Sequence, residues 1–169
     1  WINRKDADGN SIFEGGFLGL DNIGLCDRSD KLPNGQSLEQ ADGTSWMAMF
    51  ALNMMRISIE LAQYNHIYEE MATKFFEHFL YIANALDNMG NNNFSLWDQE
   101  DELFYDAIST DTGDCMLLKL RTIVGLIPMF AVEVIDYEML EKLPIFKARM
   151  QWIRENNPEL AALVSHGDE

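Results

Sequence analysis

The chain is short of cysteine, histidine, positive charge and uninterrupted apolar sequence, and each shortage removes a class of protein. Its two cysteines, Cys26 and Cys115, are far apart and match no metal spacing. They are expected as free thiols, which fits a reducing, cytoplasmic compartment. Three histidines, His66, His78 and His166, share no ligand or triad spacing, and no Gly-x-Ser-x-Gly elbow accompanies them. Metallohydrolase and serine-hydrolase chemistry therefore have no support, and neither a metal nor a cofactor is expected. Walker and dinucleotide fingerprints are missing too. Twelve basic residues against 28 acidic ones leave a net charge of −16. Such a chain repels phosphate backbones and anionic bilayers, so no nucleic-acid or membrane partner is expected. No stretch of about 18 apolar residues is free of charge, so no transmembrane helix is expected. The first residues carry neither a signal peptide nor an initiator Met. The sequence reads as a segment of something larger.

What is present is apolar and aromatic. Hydrophobic residues make up 47% of the 169, with ten Phe, four Trp and ten Met, enough for one globular domain. Residues 1–43 are rich in turn formers and read as an irregular entry. From Thr44 to about Gln63 there is neither Gly nor Pro, and Thr44 or Ser45 can cap a helix. Its apolar residues, from Trp46 to Leu61, lie on almost every face, which predicts an inner helix. Asn65 to about Met89 predicts a one-sided outer helix, with Glu69, Glu70, Thr73, Lys74 and Glu77 toward solvent. The aromatic run 103–105 and the stretch Cys115–Leu120 predict two short strands about the turn Thr110–Asp114. Helix resumes near Thr122, where Pro128 kinks it or marks its first turn. Tyr137–Lys142 and Pro144–Asn156 predict two more, and Pro158–Leu163 a further turn or two.

Several constellations reduce to local structure. Asp111-Thr112-Gly113 matches the aspartic-protease tripeptide, but that chemistry needs two such loops in an all-β setting. A hairpin turn is expected instead. Asp6, Asp8 and Asn10 alternate like a calcium loop, yet Ser11 and Phe17 stand where Gly and Glu are required, so an Asp-Gly turn is expected. Carboxylates beside aromatics remain: Trp97-Asp98, Tyr105-Asp106 and Glu39-Gln40-Ala41-Asp42. Flat rings cover sugar C–H patches while carboxylates grip hydroxyls, so carbohydrate chemistry stands against a solvated acidic surface. Asp21, set among glycines and apolar groups in Phe13–Gly24, is placed where a carboxyl pKa can rise and the acid can donate a proton.

At these residues the chain resembles a known family. The blocks Trp1–Asp6, Phe13–Gly24, Leu38–Ala48, Leu96-Trp97-Asp98 with Phe104-Tyr105-Asp106, Lys119-Leu120-Arg121 and Val124–Pro128 resemble the bacterial glucosidases of glycoside hydrolase family 63. The resemblance implies an all-α fold, part of an (α/α)6 helical barrel, to which the residue pattern above adds a short β-hairpin near 103–120. It implies one partial catalytic domain over 1–169, with a loop-rich, acid-bearing segment at 1–43 and helical hairpins at 44–169. It implies inverting hydrolysis of α-glucosidic linkages, with Asp21 as general acid. Asn22, Asp42, Trp46, Trp97, Asp98 and Arg121 would line the sugar pocket. The partners implied are an oligosaccharide or small α-glycoside substrate and the remainder of the parent barrel. The family's general base, a Glu nearer its C-terminus, has no match here; neither Glu159 nor Glu169 lies in a matching motif. This chain alone would not turn over. Two other readings stay open: an inactive helical domain for carbohydrate binding or interaction, and a hydrolase of glucosylglycerate or mannosylglycerate. A truncated barrel would expose Met47, Met54 and Ile57.

Overall fold

A computed structural model describes residues 3–14, 28, 32–89 and 94–162. Helix dominates, but the fold is mixed. Strands β1 (Phe13–Glu14), β2 (Ser37–Gln40), β5 (Ala107–Ser109) and β6 (Cys115–Leu117) form an antiparallel sheet in the order β1-β2-β5-β6. A second pair, β3 (Trp97–Asp98) and β4 (Leu103–Phe104), makes a separate hairpin. This corrects the expectation of an all-α, barrel-type fold. Each strand has only two to four residues, too short to show an alternating pattern. Their pairings reach across the chain, with Leu38 opposite Ile108. Local periodicity does not see such partners.

The predicted turn at Thr110–Asp114 is present, closed by the Gly113 N–H on the Thr110 carbonyl at 2.8 Å. It joins β5 to β6, however, while the aromatic run at 103–104 pairs with Trp97-Asp98. The Asp6 segment is a turn as well: the Asp6 carboxylate accepts from the Asn10 backbone and side chain, both at 2.6 Å.

Two long helices form the frame, α1 (Ala41–Ala62) and α2 (Ile67–Asp87). Leu52, Met55 and Ile59 of α1 meet Phe75, Phe76 and Leu80 of α2 in the largest apolar cluster. Leu143, Phe146 and Ile153 close it from beyond, the latter two from α4 (Pro144–Asn156). Two smaller helices, α3 (Tyr137–Glu141) and α5 (Pro158–Ala161), flank α4. A second cluster joins the sheet to the end of α2 through Ile12, Ala41, Leu86, Leu96 and Ala107. Residues Ile123–Phe130 form a 3-10 helix rather than an α-helix. Gly125 lets it lie against β4, since a Cβ there would sit 2.6 Å from the Phe104 carbonyl oxygen.

The α1 reading needs two corrections. The helix begins at Ala41, and the hydroxyls of Thr44 and Ser45 donate back to the Gln40 and Ala41 carbonyls, each at 2.5 Å. Nor is α1 covered all round. Met47 is buried, whereas Phe50, Met54, Ile57 and Leu61 are exposed. On α2, Glu69 is buried rather than solvated. Its Oε2 accepts from the backbone N–H groups of Ile145 and Phe146 at 2.9 and 3.4 Å. Leu143, at the N-cap position of α4, makes no side-chain cap, so Glu69 satisfies those orphan donors from 76 residues away.

Candidate functional site

The junction where β2 runs into α1 collects the polar groups. Arg28 grips Asp42 with two parallel bonds, Nη1 to Oδ2 at 2.8 Å and Nη2 to Oδ1 at 2.6 Å. The same Nη2 reaches Asp106 Oδ2 at 2.7 Å. Asp106 Oδ1 accepts the Ala41 N–H at 2.8 Å, and Asp42 Oδ1 accepts that of Gly43 at 2.8 Å. Arg28 is 2% exposed and Asp42 0%. One guanidinium therefore lies between two carboxylates at the positive end of a helix, whose dipole helps carry the surplus negative charge. Burial opposes the charge on Arg28. Its hydrogen bond to Asp42 and the fields of Asp106 and Asp42 prevail and hold it protonated. Burial pushes the Asp106 carboxyl up, against the pull of Arg28 and the Ala41 N–H.

A second ion-pair group lies along β3, β4 and the segment after β6. The Asp98 carboxylate meets Lys119 Nζ at 2.6 Å and accepts the Asp101 N–H at 2.8 Å. Those two bonds pull the Asp98 pKa down. Asp101 accepts from Tyr105 Oη at 2.7 Å and pairs with Arg121, so its pKa is also lowered. Tyr105 adjoins Asp106 in the chain and so links the two groups.

Beside this network lies an open cavity of about 410 Å³. Trp97 and Phe104 form one wall, edge to face with centroids 4.9 Å apart. Ala48, Phe79, Ala83, Leu86, Pro128 and Ala131 complete the apolar lining, and Asp87 supplies a carboxylate. The volume suits one small ligand.

Of the residues expected to line a sugar pocket, Trp97 lines this cavity, with Asp98 next to it on β3. Arg121 is joined to that region through Asp101 but is exposed. Asp42 is committed to Arg28 and wholly buried, and Trp46 is half-buried one turn further along α1. Asp21 and Asn22 lie outside the described residues, as does Cys26. Cys115 carries a free thiol. Burial, reinforced by the charge of Glu39, raises its pKa.

Sequence reasoning missed Arg28, Asp101 and Asp87 as parts of the site, and no local motif marks them. Glu39 was singled out only as part of the block Glu39–Asp42, and its surroundings were not foreseen. This residue is 2% exposed, accepts from Ser109 Oγ at 2.6 Å through Oε1, and leaves Oε2 without a partner. Burial drives its pKa up to about 7, against the Ser109 bond and assisted by Asp6, Glu14 and Asp8. Among the described residues no cluster of three or more His, Cys, Asp or Glu side chains could hold a metal. Among those residues no helix is long and apolar enough to cross a membrane.

Fold and site together define a small α+β unit with a buried Arg–carboxylate junction and an aromatic-walled cavity beside it. The chain is similar to the uncharacterized protein YMR196W of Saccharomyces cerevisiae, 45% identical over 172 aligned residues. The alignment takes in 95% of this chain but 16% of the relative, so the chain spans about a sixth of that protein's length. No protein-family model and no solved structure matches.

Proposed function

We propose that the chain contributes the proton donor and part of the sugar-binding wall to a glycoside hydrolase acting by inversion on α-glucosidic linkages. The observation that carries this reading is the cavity walled by Trp97 and Phe104 with the Asp87 carboxylate on its lining and Asp98 adjoining it. A flat aromatic face covers the C–H patch of a sugar, and neighbouring carboxylates accept from its hydroxyls. In this reading Asp21 protonates the glycosidic oxygen as the C–O bond breaks through an oxocarbenium-like transition state. A Glu outside this chain takes a proton from water, which attacks from the opposite face at a carboxyl separation of about 6.5–9.5 Å. Asp98, which follows Trp97 on β3, is held by Lys119 and the Asp101 N–H and steadies the strand that presents Trp97. The buried Arg28–Asp42–Asp106 junction positions the start of α1 rather than touching the sugar. The substrate is an oligosaccharide or a small α-glycoside such as glucosylglycerate.

The test is hydrolysis of a panel of α-glucosides by the full-length protein and its variants. Asp21→Asn should remove most activity on poor leaving groups with the fold intact, and Trp97→Ala should raise KM about tenfold or more. Normal turnover by Asp21→Asn would remove that residue from its role. A second reading, a non-catalytic carbohydrate-binding or interaction module, draws on the exposed apolar face Phe50, Met54, Ile57 and Leu61 of α1. Sugar binding without hydrolysis by the full-length protein would favour it.

A further inference from the structure

A second cavity lies far along the fold from the β2–α1 junction, between α2 and the helices α3, α4 and α5. It measures about 340 Å³, at the small end of the range of about 300–1,000 Å³ usual for ligand sites. Phe76, Leu80, Met150 and Ile153 supply apolar walls, while Lys147 and Arg154 both line it. Cations are scarce in this chain, yet α4 holds Lys147, Arg149 and Arg154 against the single acid Glu155. Two of the three are already committed. Lys147 pairs with Glu141 and lies over the Tyr137 ring at 5.3 Å. Arg149 bonds Glu77 at 2.6 Å and stacks on Trp152. Arg154 makes no hydrogen bond or ion pair with the described residues.

We propose that this cavity binds a small amphiphilic carboxylate, its alkyl chain among Phe76, Leu80, Met150 and Ile153 and its head on Arg154. The chemistry follows from the lining. One uncommitted guanidinium matches a single negative charge, and its planar fork suits a carboxylate. Glu141 already offsets Lys147, so a doubly charged head is poorly matched. The volume admits one short alkyl chain and not the two chains of a phospholipid.

Calorimetric titration of the protein with octanoate, octan-1-ol and acetate tests this. Octanoate should bind at least about tenfold more tightly than either the neutral alcohol or the short acid. Arg154→Gln, a change at an exposed side chain that leaves the fold unaltered, should erase the advantage over octan-1-ol. Ala161→Phe, which places a ring in the cavity, should abolish octanoate binding while the circular dichroism spectrum is unchanged. Lack of octanoate binding, equal affinity for octan-1-ol, or undiminished octanoate affinity in either folded variant would overturn the proposal.

Discussion

Asp42 and Glu39 lie three positions apart at the same β2–α1 junction and are both buried, yet their carboxyl groups receive very different sets of partners. Asp42 receives a bidentate guanidinium and a backbone N–H. Glu39 receives one hydroxyl and keeps an oxygen without a partner. Burial is costly to a polar group unless the fold returns the hydrogen bonds that water supplied. Asp42 helps hold Arg28 charged, and Glu39 takes up its own proton near neutrality. The first arrangement fixes the start of α1, and the second leaves inside the sheet a carboxyl group whose pKa burial raises.

The largest effect is expected at Arg28. Arg28→Ala leaves Asp42 and Asp106 facing each other without their cation, and the loss expected is about 3–5 kcal/mol. Urea denaturation reads it, and a loss below about 1 kcal/mol would mean that the junction does not depend on the pair. Glu39→Gln sharpens the other side. The folded pKa of Glu39, about 7, lies above its ordinary 4.5, so the native state holds the extra proton. Stability from this group is complete below pH 4.5 and is lost as pH rises toward 7. Glu39→Gln, which carries no charge to desolvate, should therefore gain up to about 3 kcal/mol over the native protein at pH 8 and little at pH 4. A gain independent of pH would contradict that assignment.

Glu69 provides the smallest effect and an intermediate case: a buried carboxylate satisfied by two backbone N–H groups and His66 Nδ1 at 2.9 Å. Glu69→Ala should cost about 1–2 kcal/mol, within the range for losing a helix cap. Hydrogen exchange should speed selectively at the Ile145 and Phe146 amides. Uniform acceleration across α4 would point instead to lost packing.

Much of the helical frame was legible, and the reasons are local. The predicted Pro144–Asn156 matches α4 end to end, because Pro144 opens it and Asn157-Pro158 stops it. The α2 reading is within two residues at each end. The start of α1 was not legible, because Asp106 satisfies its first N–H from 65 residues downstream. Thr44 and Ser45, which look like caps, spend their hydroxyls inside the first turn. The sheet escaped for the same reason, since β2 gains its partners from residues 13–14 and 107–109. Of the candidate site, Trp97 and Asp98 were legible as an aromatic–carboxylate pair, whereas Arg28 was not.

By itself the sequence determined the acidic charge, the want of metal and triad spacing, the turns at Asp6 and Thr110 and the principal helices. Each depends on composition or on groups a few residues apart. Tertiary structure decided the mixed fold, the caps supplied by Asp106 and Glu69, and the contrast between Asp42 and Glu39. A buried carboxyl group is satisfied by the donors within about 3 Å of it, and at this junction the side-chain donors arrive from Arg28 and Ser109, on other segments of the chain.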